Sequence, residues 1–424
     1  MTLTDLAAGG EAVGRLADGR VVFVPGGVSG DEVEVSLDEL RKGYVRGTLR
    51  TVLSPSPLRQ TPVCALSVPG RCGGCPIMHV ARTEQLDAKA RWVSRAVRHS
   101  GAQVLPILSP TTELGYRLRV RLGVISVGSQ LKLSFSSARS SDRQPIDECP
   151  VLDPRLSDVL FHQATSLAAL IGSGGFVSAL VGHQTLQPTA QRPVHLSIES
   201  GPQTRRNALR KELERLIAQD ILVGAIVDEE TLGQPTVDLG DDLGSLPASA
   251  DGFAQASAPG HSQLPRWVAD ALRPGLPHHP TILELYAGSG NLTRALLSLG
   301  GRVLAVEGEP RAAARLQALS EAASTQGRLT VRPLSVEKAL PQIVKEGPGW
   351  DAIVLDPPRG GARSIVPLLG TMTASKLVYV SCDAMTLGRD LVDLAGFGFR
   401  PRTVQPIDLM PHTAEVECIA VLER

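Results

Sequence analysis

Cys382 is the residue whose type and position could carry out covalent chemistry. It ends the apolar run KLVYVSC and precedes MTLGRDLVDLAG, which has the character of a helix. The dipole at the amino end of a helix can favour a thiolate, and a thiolate is a strong nucleophile. Cysteine is also often merely buried, so the interpretation of Cys382 as a nucleophile depends on its neighbours.

Two acidic segments could supply such neighbours. Asp356 and Arg359 flank two rigid prolines, and this ledge could hydrogen-bond the edge of a base or form an ordinary loop salt bridge. The last segment, EVECIAVL, has strand character, which puts Glu415 and Glu417 on one face. One of these glutamates could act as a general base, or both could face solvent.

A glycine-rich turn indicates a nucleotide-like cofactor. Gly288 and Gly290 follow the apolar run TILELY, where glycine allows a tight turn and close approach to a ligand. Glu307 ends the next run, about 20 residues on, where a carboxylate can accept hydrogen bonds from ribose hydroxyls. The pattern favours a nucleoside cofactor over NAD or no ligand. It disfavours a P-loop, because no lysine with a hydroxyl neighbour follows the glycines.

The elements that must position these residues begin at Thr281. Four apolar runs, TILELY, GRVLAVE, WDAIVLD and KLVYVSC, alternate there with helical segments. Such alternation predicts a parallel sheet covered by helices, with ligands at the carboxyl ends of its strands. We therefore expect the candidate residues to meet at one edge of an α/β domain.

The remaining chain predicts two further domains, as its length also suggests. Residues 1–55 have short glycine-broken strands and predict a small β-barrel. Residues 56–250 predict a mixed α+β central domain. Its helix at about 83–100 could pack with the last domain, residues 251–424.

Four cysteines outside the last domain form a second candidate centre. Three are closely spaced and one is distant: Cys64, Cys72, Cys75 and Cys149. Four thiolates suit a [4Fe-4S] cluster, and zinc is the alternative. The sixth cysteine, Cys418, is expected in the core.

Charge and hydropathy narrow the class of protein. Lys plus Arg and Asp plus Glu each number 43, so an RNA surface would have to be local. No run reaches the ~18 apolar residues of a membrane span, and we expect a cytoplasmic protein with no membrane partner. The candidate basic patches, each of which could also be a solvated face, are Arg41, Lys42, Arg46 and Arg50; Arg117, Arg119 and Arg121; and Arg205, Arg206, Arg210 and Lys211.

In their order and spacing, ELYAGSGN, AVEG, DPPRGG, YVSCD and MPHTAEVE resemble the uracil-C5 RNA methyltransferase family, which forms 5-methyluridine in bacterial tRNA and ribosomal RNA. Residues 1–55 resemble TRAM, an OB-like RNA-binding barrel. The resemblance implies a Rossmann-like domain that uses S-adenosylmethionine. It implies that Cys382 adds to C6 of uracil, that Glu417 removes the C5 proton, and that Arg359 positions the substrate.

The resemblance also implies a cofactor site. Residues assigned to contact S-adenosylmethionine or shape its pocket are Gln255, Tyr286, Gly288, Gly290, Asn291, Glu307, Ser335 and Asp356. The branch of the family that acts on ribosomal RNA carries an iron-sulfur cluster, which favours [4Fe-4S] over zinc and ribosomal RNA over tRNA. The sequence departs from the family pattern at Ser257, Ser335 and Glu415.

The resulting prediction is a monomeric RNA uridine-C5 methyltransferase, with ribosomal RNA favoured over tRNA as the partner. A non-catalytic iron-sulfur RNA-binding protein would leave Cys382 and Glu417 without roles. A redox iron-sulfur protein would not explain the glycine-rich loop. A methyltransferase acting on DNA or a small molecule would leave the N-terminal barrel without a role.

Overall fold

The structure is a computed structural model that describes residues 1–41, 43–137, 142–183, 192–322, 327–347 and 349–424. Its N-terminal part is a five-stranded sheet in the order β1-β2-β3-β5-β4. A pairing of Thr2 with Glu32 joins the two edge strands, so the sheet closes into a barrel. The strands are β1 (Leu3–Leu6), β2 (Ala12–Arg15), β3 (Val21–Val24), β4 (Glu32–Arg41) and β5 (Tyr44–Ser54).

A helix and a short strand lead from the barrel to the rest of the chain. Helix α1 spans Arg82–Val97, close to the predicted range of 83–100. Strand β6 (Gln103–Val104) does not join the central sheet but adds to the edge of the last one. Helix α1 contributes side chains to the core of the barrel and to a core of the last domain, so it packs against both.

The central sheet has seven strands in the order β13-β12-β11-β10-β7-β8-β9. Helices α2, α3 and α4 pack on it and bury their leucine-rich faces against the strands. The strands are β7 (Arg119–Val127), β8 (Gln130–Ser136), β9 (Arg143–Pro145), β10 (Phe176–Val181), β11 (Val194–Glu199), β12 (Gly224–Val227) and β13 (Glu230–Gly233). The helices are α2 (Pro154–Asp158), a π-helical turn (Val159–Gln163), α3 (Leu167–Ile171) and α4 (Arg206–Ala218). A separate hairpin pairs β14 (Val237–Asp238) with β15 (Pro247–Ala248).

The last sheet has eight strands in the order β18-β17-β16-β19-β20-β22-β21-β6. Strands β16 to β20 are parallel, whereas β22 runs antiparallel between β20 and β21. The order reverses at β16, where open α/β sheets bind their ligands. The strands are β16 (Thr281–Leu285), β17 (Arg302–Val306), β18 (Leu329–Arg332), β19 (Ala352–Leu355), β20 (Lys376–Ser381), β21 (Arg400–Ile407) and β22 (Glu417–Glu423).

The described residues of this part of the chain form seven helices, and apolar cores lie on both faces of the sheet. The four predicted apolar runs form β16, β17, β19 and β20, as expected for a sheet covered on both faces. The helices are α5 (Ala258–Ser262), α6 (Leu264–Leu272), α7 (Asn291–Leu297), α8 (Pro310–Glu321), α9 (Val336–Glu346), α10 (Val366–Gly370) and α11 (Ala384–Gly396). No helix in the described ranges is long and apolar enough to cross a membrane.

Candidate active site and nucleic-acid interface

The candidate nucleophile and base lie next to each other at the end of an antiparallel strand pair. In the register of β20 and β22, Ser381 is opposite Cys418. Cys382 follows Ser381, and Glu417 precedes Cys418, so the two residues meet where the pair opens. Cys382 is half-buried, whereas the side chain of Glu417 is only 6% exposed. The alternative of two solvent-facing glutamates is therefore wrong for Glu417.

Helix α11 begins immediately after Cys382. Its N-cap is Asp383, whose carboxylate accepts a hydrogen bond from the backbone N–H of Thr386 at 2.8 Å. This matches the expected position of the thiol near a helix amino end. The N-cap carboxylate satisfies one of the helix's free N–H groups, so the thiol does not face a bare positive helix end.

Burial and negative neighbours keep protons on the central groups. Burial first, then Glu417, raises the pKa of Cys382 to about 11, although Arg359 acts in the opposite direction. Burial first, then Asp356 and Glu415, raises the pKa of Glu417 to about 8. Burial raises the pKa of Asp356 to about 7. The expected stabilisation of a thiolate is thus outweighed, and Cys382 is a thiol in the ligand-free protein at neutral pH.

Arg359 and Glu415 join the two acidic segments across the site. The Arg359 guanidinium and the Glu415 carboxylate form an ion pair at 2.8 Å. The backbone carbonyl of Arg359 accepts a hydrogen bond from the hydroxyl of Thr386, on α11, at 3.1 Å. Arg359 is therefore connected to both the helix behind Cys382 and the residue two before Glu417. The structure thus contains a salt bridge of Arg359, and the role of this segment as a ledge that hydrogen-bonds the edge of a base stays a prediction.

The glycine-rich turn follows β16 and is held by the acid at the end of β17. Gly288 and Gly290 have φ values of +59° and +95°, which glycine adopts without strain. The Glu307 carboxylate accepts hydrogen bonds from the backbone N–H groups of Gly288 at 2.7 Å and Glu309 at 2.6 Å. Its oxygens retain lone pairs that could accept hydrogen bonds from ribose hydroxyls. A Cβ at Gly288 would meet no atom within 4 Å, so this turn borders open space.

The other predicted cofactor residues surround the same turn. The Asn291 side chain donates to the carbonyl of Gly260 at 3.0 Å, so it is used to tie α7 to α5. Gln255 lies against Gly260, where a Cβ would be 2.8 Å from the Cβ of Gln255. Tyr286 has φ +63° and its hydroxyl donates to Glu337 at 3.3 Å.

Ser335 lies close to Gly308, the residue that follows Glu307. It is the N-cap of α9, without a side-chain capping bond, and a Cβ at Gly308 would be 2.9 Å from its Cα. The backbone at Ser335 thus lies in close contact with the backbone at Gly308, the residue after Glu307.

Glu284 is an acid of this region that the sequence interpretation did not single out. It lies within β16, is buried, and accepts a hydrogen bond from the hydroxyl of Thr293 at 2.6 Å. Burial raises its pKa to about 8. The bond connects the strand to α7 beneath the glycine turn. The signal for it was a lone charge within an otherwise apolar strand.

The three basic patches differ in their surroundings. Arg206 and Arg210, two of the four basic residues of the third patch, pair with acids at 2.8 Å and 2.6 Å. In the first patch, Arg46 lies 3.7 Å from Glu11 and the Arg50 Nε donates to Ser36. Lys42 lies outside the described residues.

The second patch lines a cleft that extends to the residues on either side of Gln255. Its walls include four arginines and two aromatic rings: Arg117, Arg119, Arg121, Arg143, Phe135 and Phe176. The guanidinium carbons of Arg121 and Arg143 lie 4.0 and 4.6 Å from the centre of the Phe176 ring. The contribution of Arg143 was missed because it is distant in sequence. Ala254 and Ala256, on either side of Gln255, line the same cleft.

Arg119 is the least satisfied cation in this cleft. Its Nε is buried and has no hydrogen-bond partner among the described residues. Burial, followed by the charges of Arg117 and Arg121, lowers the pKa of Arg119. A cleft with several close guanidinium groups, one of which has an Nε without a hydrogen bond within the described part of the chain, favours an anion such as a phosphate.

The four cysteines outside the last domain line one cavity. All are half-buried and none is in a disulfide. Burial raises the pKa of Cys72 and Cys149 and raises that of Cys75 to about 12, with neighbouring cysteines adding to each shift. Within the described residues, no group of three or more His, Cys, Asp or Glu side chains has an arrangement that could hold a metal ion. The four thiols therefore line one cavity, but their sulfur atoms are not arranged as the ligands of a metal ion.

Two family comparisons match parts of the chain. Residues 2–49 match the TRAM domain, and residues 267–386 match a family described as conserved hypothetical protein 95. The first match covers the closed barrel. The second covers most of the parallel sheet, including the glycine turn and Cys382.

Relatives extend over the whole chain. It is 30% identical to the 23S rRNA (uracil(1939)-C(5))-methyltransferase RlmD of Edwardsiella ictaluri, covering 100% of this chain and 95% of that protein. The corresponding protein of Pseudomonas aeruginosa strain UCBPP-PA14 is also 30% identical, with 100% and 93% covered. The fold is similar to that of the Pyrococcus abyssi tRNA (uracil-54, C5)-methyltransferase in complex with S-adenosyl-L-homocysteine, with a TM-score of 0.75 and 19% identity over 100% of this chain and 99% of that one.

Proposed function

The chain belongs to the family of uracil-C5 RNA methyltransferases, which use S-adenosylmethionine, and from this premise we propose that it methylates a uridine of 23S ribosomal RNA through a covalent adduct on Cys382. The observation that carries the covalent step is the pairing of a half-buried thiol with a buried carboxylate, Cys382 beside Glu417. The choice of RNA rests on the two relatives that carry 23S rRNA in their names.

Cys382 has the first role in this chemistry. Carbon 5 of a neutral uracil is a poor nucleophile. The Cys382 thiol gives its proton to solvent water, and the sulfur forms a bond to C6, which moves the electron pair of the C5–C6 double bond onto C5 and makes C5 electron-rich. S-adenosylmethionine, when bound, supplies an electrophilic methyl group on a positively charged sulfur. After methylation, C5 carries both the methyl group and its original proton.

Glu417 has the second role. Its carboxylate takes the C5 proton, the C5–C6 double bond forms again, and the bond between C6 and sulfur breaks to release Cys382. Glu417 must be ionised to do this, and its pKa of about 8 makes the ionised form increasingly populated as the pH rises through that value. Arg359, paired with Glu415, orients the uracil at the mouth of the site.

The cofactor would lie along the carboxyl ends of β16, β17 and β19. Glu307 and the Gly288–Gly290 turn fit a ribose and its neighbouring chain, because the turn borders open space. Asp356 and Ser335 would border the base and the amino-acid end of S-adenosylmethionine. The walls of the pocket would be formed by Tyr286, Asn291 and Gln255. The departure at Ser335 leaves this edge with a hydroxyl in place of an acid or amide.

RNA binding is assigned to the arginine cleft rather than to the other basic patches. Its guanidinium groups suit phosphate oxygens, and the cleft reaches the Gln255 segment, so a strand bound there would lie next to the start of the last domain. The target uridine must leave its stack to be reached. The TRAM barrel would hold a second part of the RNA.

We also propose that Cys64, Cys72, Cys75 and Cys149 bind a [4Fe-4S] cluster, with zinc as the alternative. Support comes from four half-buried thiols around one cavity and from the mutual repulsion that their thiolates would have without a cation. Arg117 lines both this cavity and the arginine cleft, so a bound cluster would fix one wall of the RNA surface.

The choice of RNA can be tested with a strain that lacks the gene. We expect one 5-methyluridine to disappear from 23S ribosomal RNA and to return when purified protein and labelled S-adenosylmethionine are added. Unchanged 23S ribosomal RNA with loss of a 5-methyluridine from tRNA would replace the proposed substrate by the alternative one. The same assay with Cys382→Ser tests whether the methyl transfer belongs to this site.

A further inference from the structure

The connection between β21 and β22, residues 408–416, carries Glu415 and leads directly to Glu417. It is held from outside by α1. The Lys89 ammonium donates to Asp408 Oδ1 at 2.6 Å and to the carbonyl of Met410 at 3.1 Å. Arg82 forms an ion pair with the other Asp408 oxygen. Lys89 and Asp408 are both fully buried, more than 300 residues apart in the chain.

Gln85, one turn before Lys89 on α1, fixes the next part of the connection. Its side-chain oxygen accepts the backbone N–H of His412 at 3.0 Å, and its Nε2 lies 3.1 Å from the His412 Nδ1. His412 has φ +66°, a left-handed conformation that costs a non-glycine residue free energy. The Gln85 contacts therefore hold a strained residue five positions before Glu417.

Helix α1 also contacts the element behind the nucleophile. At the crossing of α1 with α11, a Cβ on Gly388 would collide with the carbonyl of Ala96. Val93 and Val97 enter the core of the last domain. One helix thus touches both the connection that leads to Glu417 and the helix that starts after Cys382.

Stability alone does not explain this arrangement. A buried ion pair must repay the desolvation of two charges, and well-packed apolar residues of similar size often stabilise a fold as well or better. A hydrogen-bonded pair does fix the relative position of two segments more narrowly than apolar contact. Bonds from Lys89 and Gln85 to three points of a loop of nine residues do this for the segment before Glu417.

We propose that Lys89 and Gln85 are positioning residues that set the Glu417 carboxylate against the C5 proton, an inference that rests on the proposed function. Because they act through Glu417, their loss should slow proton removal and adduct release more than adduct formation. A displacement of about 1 Å can lower a rate about 100-fold. The partners of Lys89 and Gln85 in the connection are Asp408, Met410 and His412, and none of these is a predicted cofactor residue.

The test compares Lys89→Met with wild type and with Arg95→Met, a control on an exposed part of the same helix. RNA with 5-fluorouridine measures adduct formation alone. Its C5 carries fluorine in place of hydrogen, so there is no C5 proton for the base to remove and the adduct is not released. Ordinary RNA measures turnover and any covalent complex that persists. For Lys89→Met we expect turnover to fall about 100-fold and the methylated covalent complex with ordinary RNA to accumulate. Cofactor binding and the fluorouridine adduct should stay within about twofold of wild type.

Equal turnover in wild type and Lys89→Met would overturn the inference, as would a parallel loss of cofactor binding, adduct and turnover. If Lys89→Met does not fold, Lys89→Met with Asp408→Asn removes the unpaired buried carboxylate, and Gln85→Met tests the second contact. Each should give the same pattern of trapped complex. Failure of the wild type itself to form the fluorouridine adduct would remove the proposed function, and this inference with it.

Discussion

Cys382 and Glu417 lie side by side where β20 and β22 separate, because Ser381 and Cys418 are paired in the last row of the two strands. One strand supplies the nucleophile at its end and the other supplies the carboxylate at its start. The arrangement needs an antiparallel strand inserted beside a parallel sheet. The pKa values of both groups are raised, so the Cys382 thiol and the Glu417 carboxyl group are mostly uncharged at neutral pH in the protein without ligands.

Replacing Glu417 by glutamine should block release of the product. Glutamine has nearly the shape of the protonated acid but cannot take the C5 proton, so turnover should fall by about 10²- to 10⁴-fold. A covalent complex with ordinary RNA should accumulate and be visible as a shifted band under denaturing conditions. Glu415→Gln is the matched control and should release its product. Normal turnover by Glu417→Gln would exclude Glu417 as the base.

The stability of the protein should also depend on pH through Glu417. Its pKa is raised from 4.5 to about 8 by folding, so the folded state binds the proton more tightly. The stabilisation is complete below about pH 4.5 and is lost as the pH rises through about 8. Glu417→Gln lacks this loss, so its free energy of unfolding relative to wild type should increase from about pH 5 to about pH 9, on the order of a few kcal/mol. Denaturant unfolding of both proteins across this range measures the difference, and a constant difference would contradict the burial argument.

The RNA surface can be tested with one arginine of the cleft. Arg119→Met should weaken RNA binding, and the slope of log affinity against log salt should become shallower by about one phosphate contact. Cofactor affinity should not change, because Arg119 does not lie at the strand ends that hold the cofactor. Arg206→Met is the control, since Arg206 is paired with Asp228. Equal effects of the two variants on the salt slope would argue against the cleft.

The cysteine cavity gives a test that does not depend on activity. Protein purified without oxygen should be brown, and Cys75→Ser should lose the visible absorbance. Cys418→Ala should keep it, because Cys418 lies in the core of the last domain. Colourless wild type with stoichiometric zinc would replace the proposed cluster by the alternative metal.

Much of the catalytic domain could be predicted because its signals are local. Apolar runs that end in glycine, acid or cysteine gave the parallel strands and the edge where Gly288, Glu307 and Cys382 lie. The family and the RNA methyltransferase function are confirmed by the comparisons. The roles of individual site residues, the domain boundaries, the iron-sulfur cluster, the monomeric state and the location in the cell stay predictions.

What could not be predicted depends on contacts between distant segments. Lys89 occurs in a helix with ordinary polar composition, and its partner Asp408 is defined only by the tertiary fold. Spacing did contain a partial signal, since Gln85, Lys89 and Trp92 follow the i, i+4, i+7 pattern of one buried helix face. Arg143 likewise joins Arg119 only after β9 pairs with β8. The high pKa of Cys382 follows from burial that the sequence does not give.

The most direct test of the account is mass spectrometry of the protein after reaction with 5-fluorouridine RNA and S-adenosylmethionine. We expect one covalent complex, with the methylated fluoropyrimidine attached to the peptide that contains Cys382, and no complex with Cys382→Ser. Attachment to another residue, or full turnover of ordinary RNA by Cys382→Ser, would contradict the covalent mechanism.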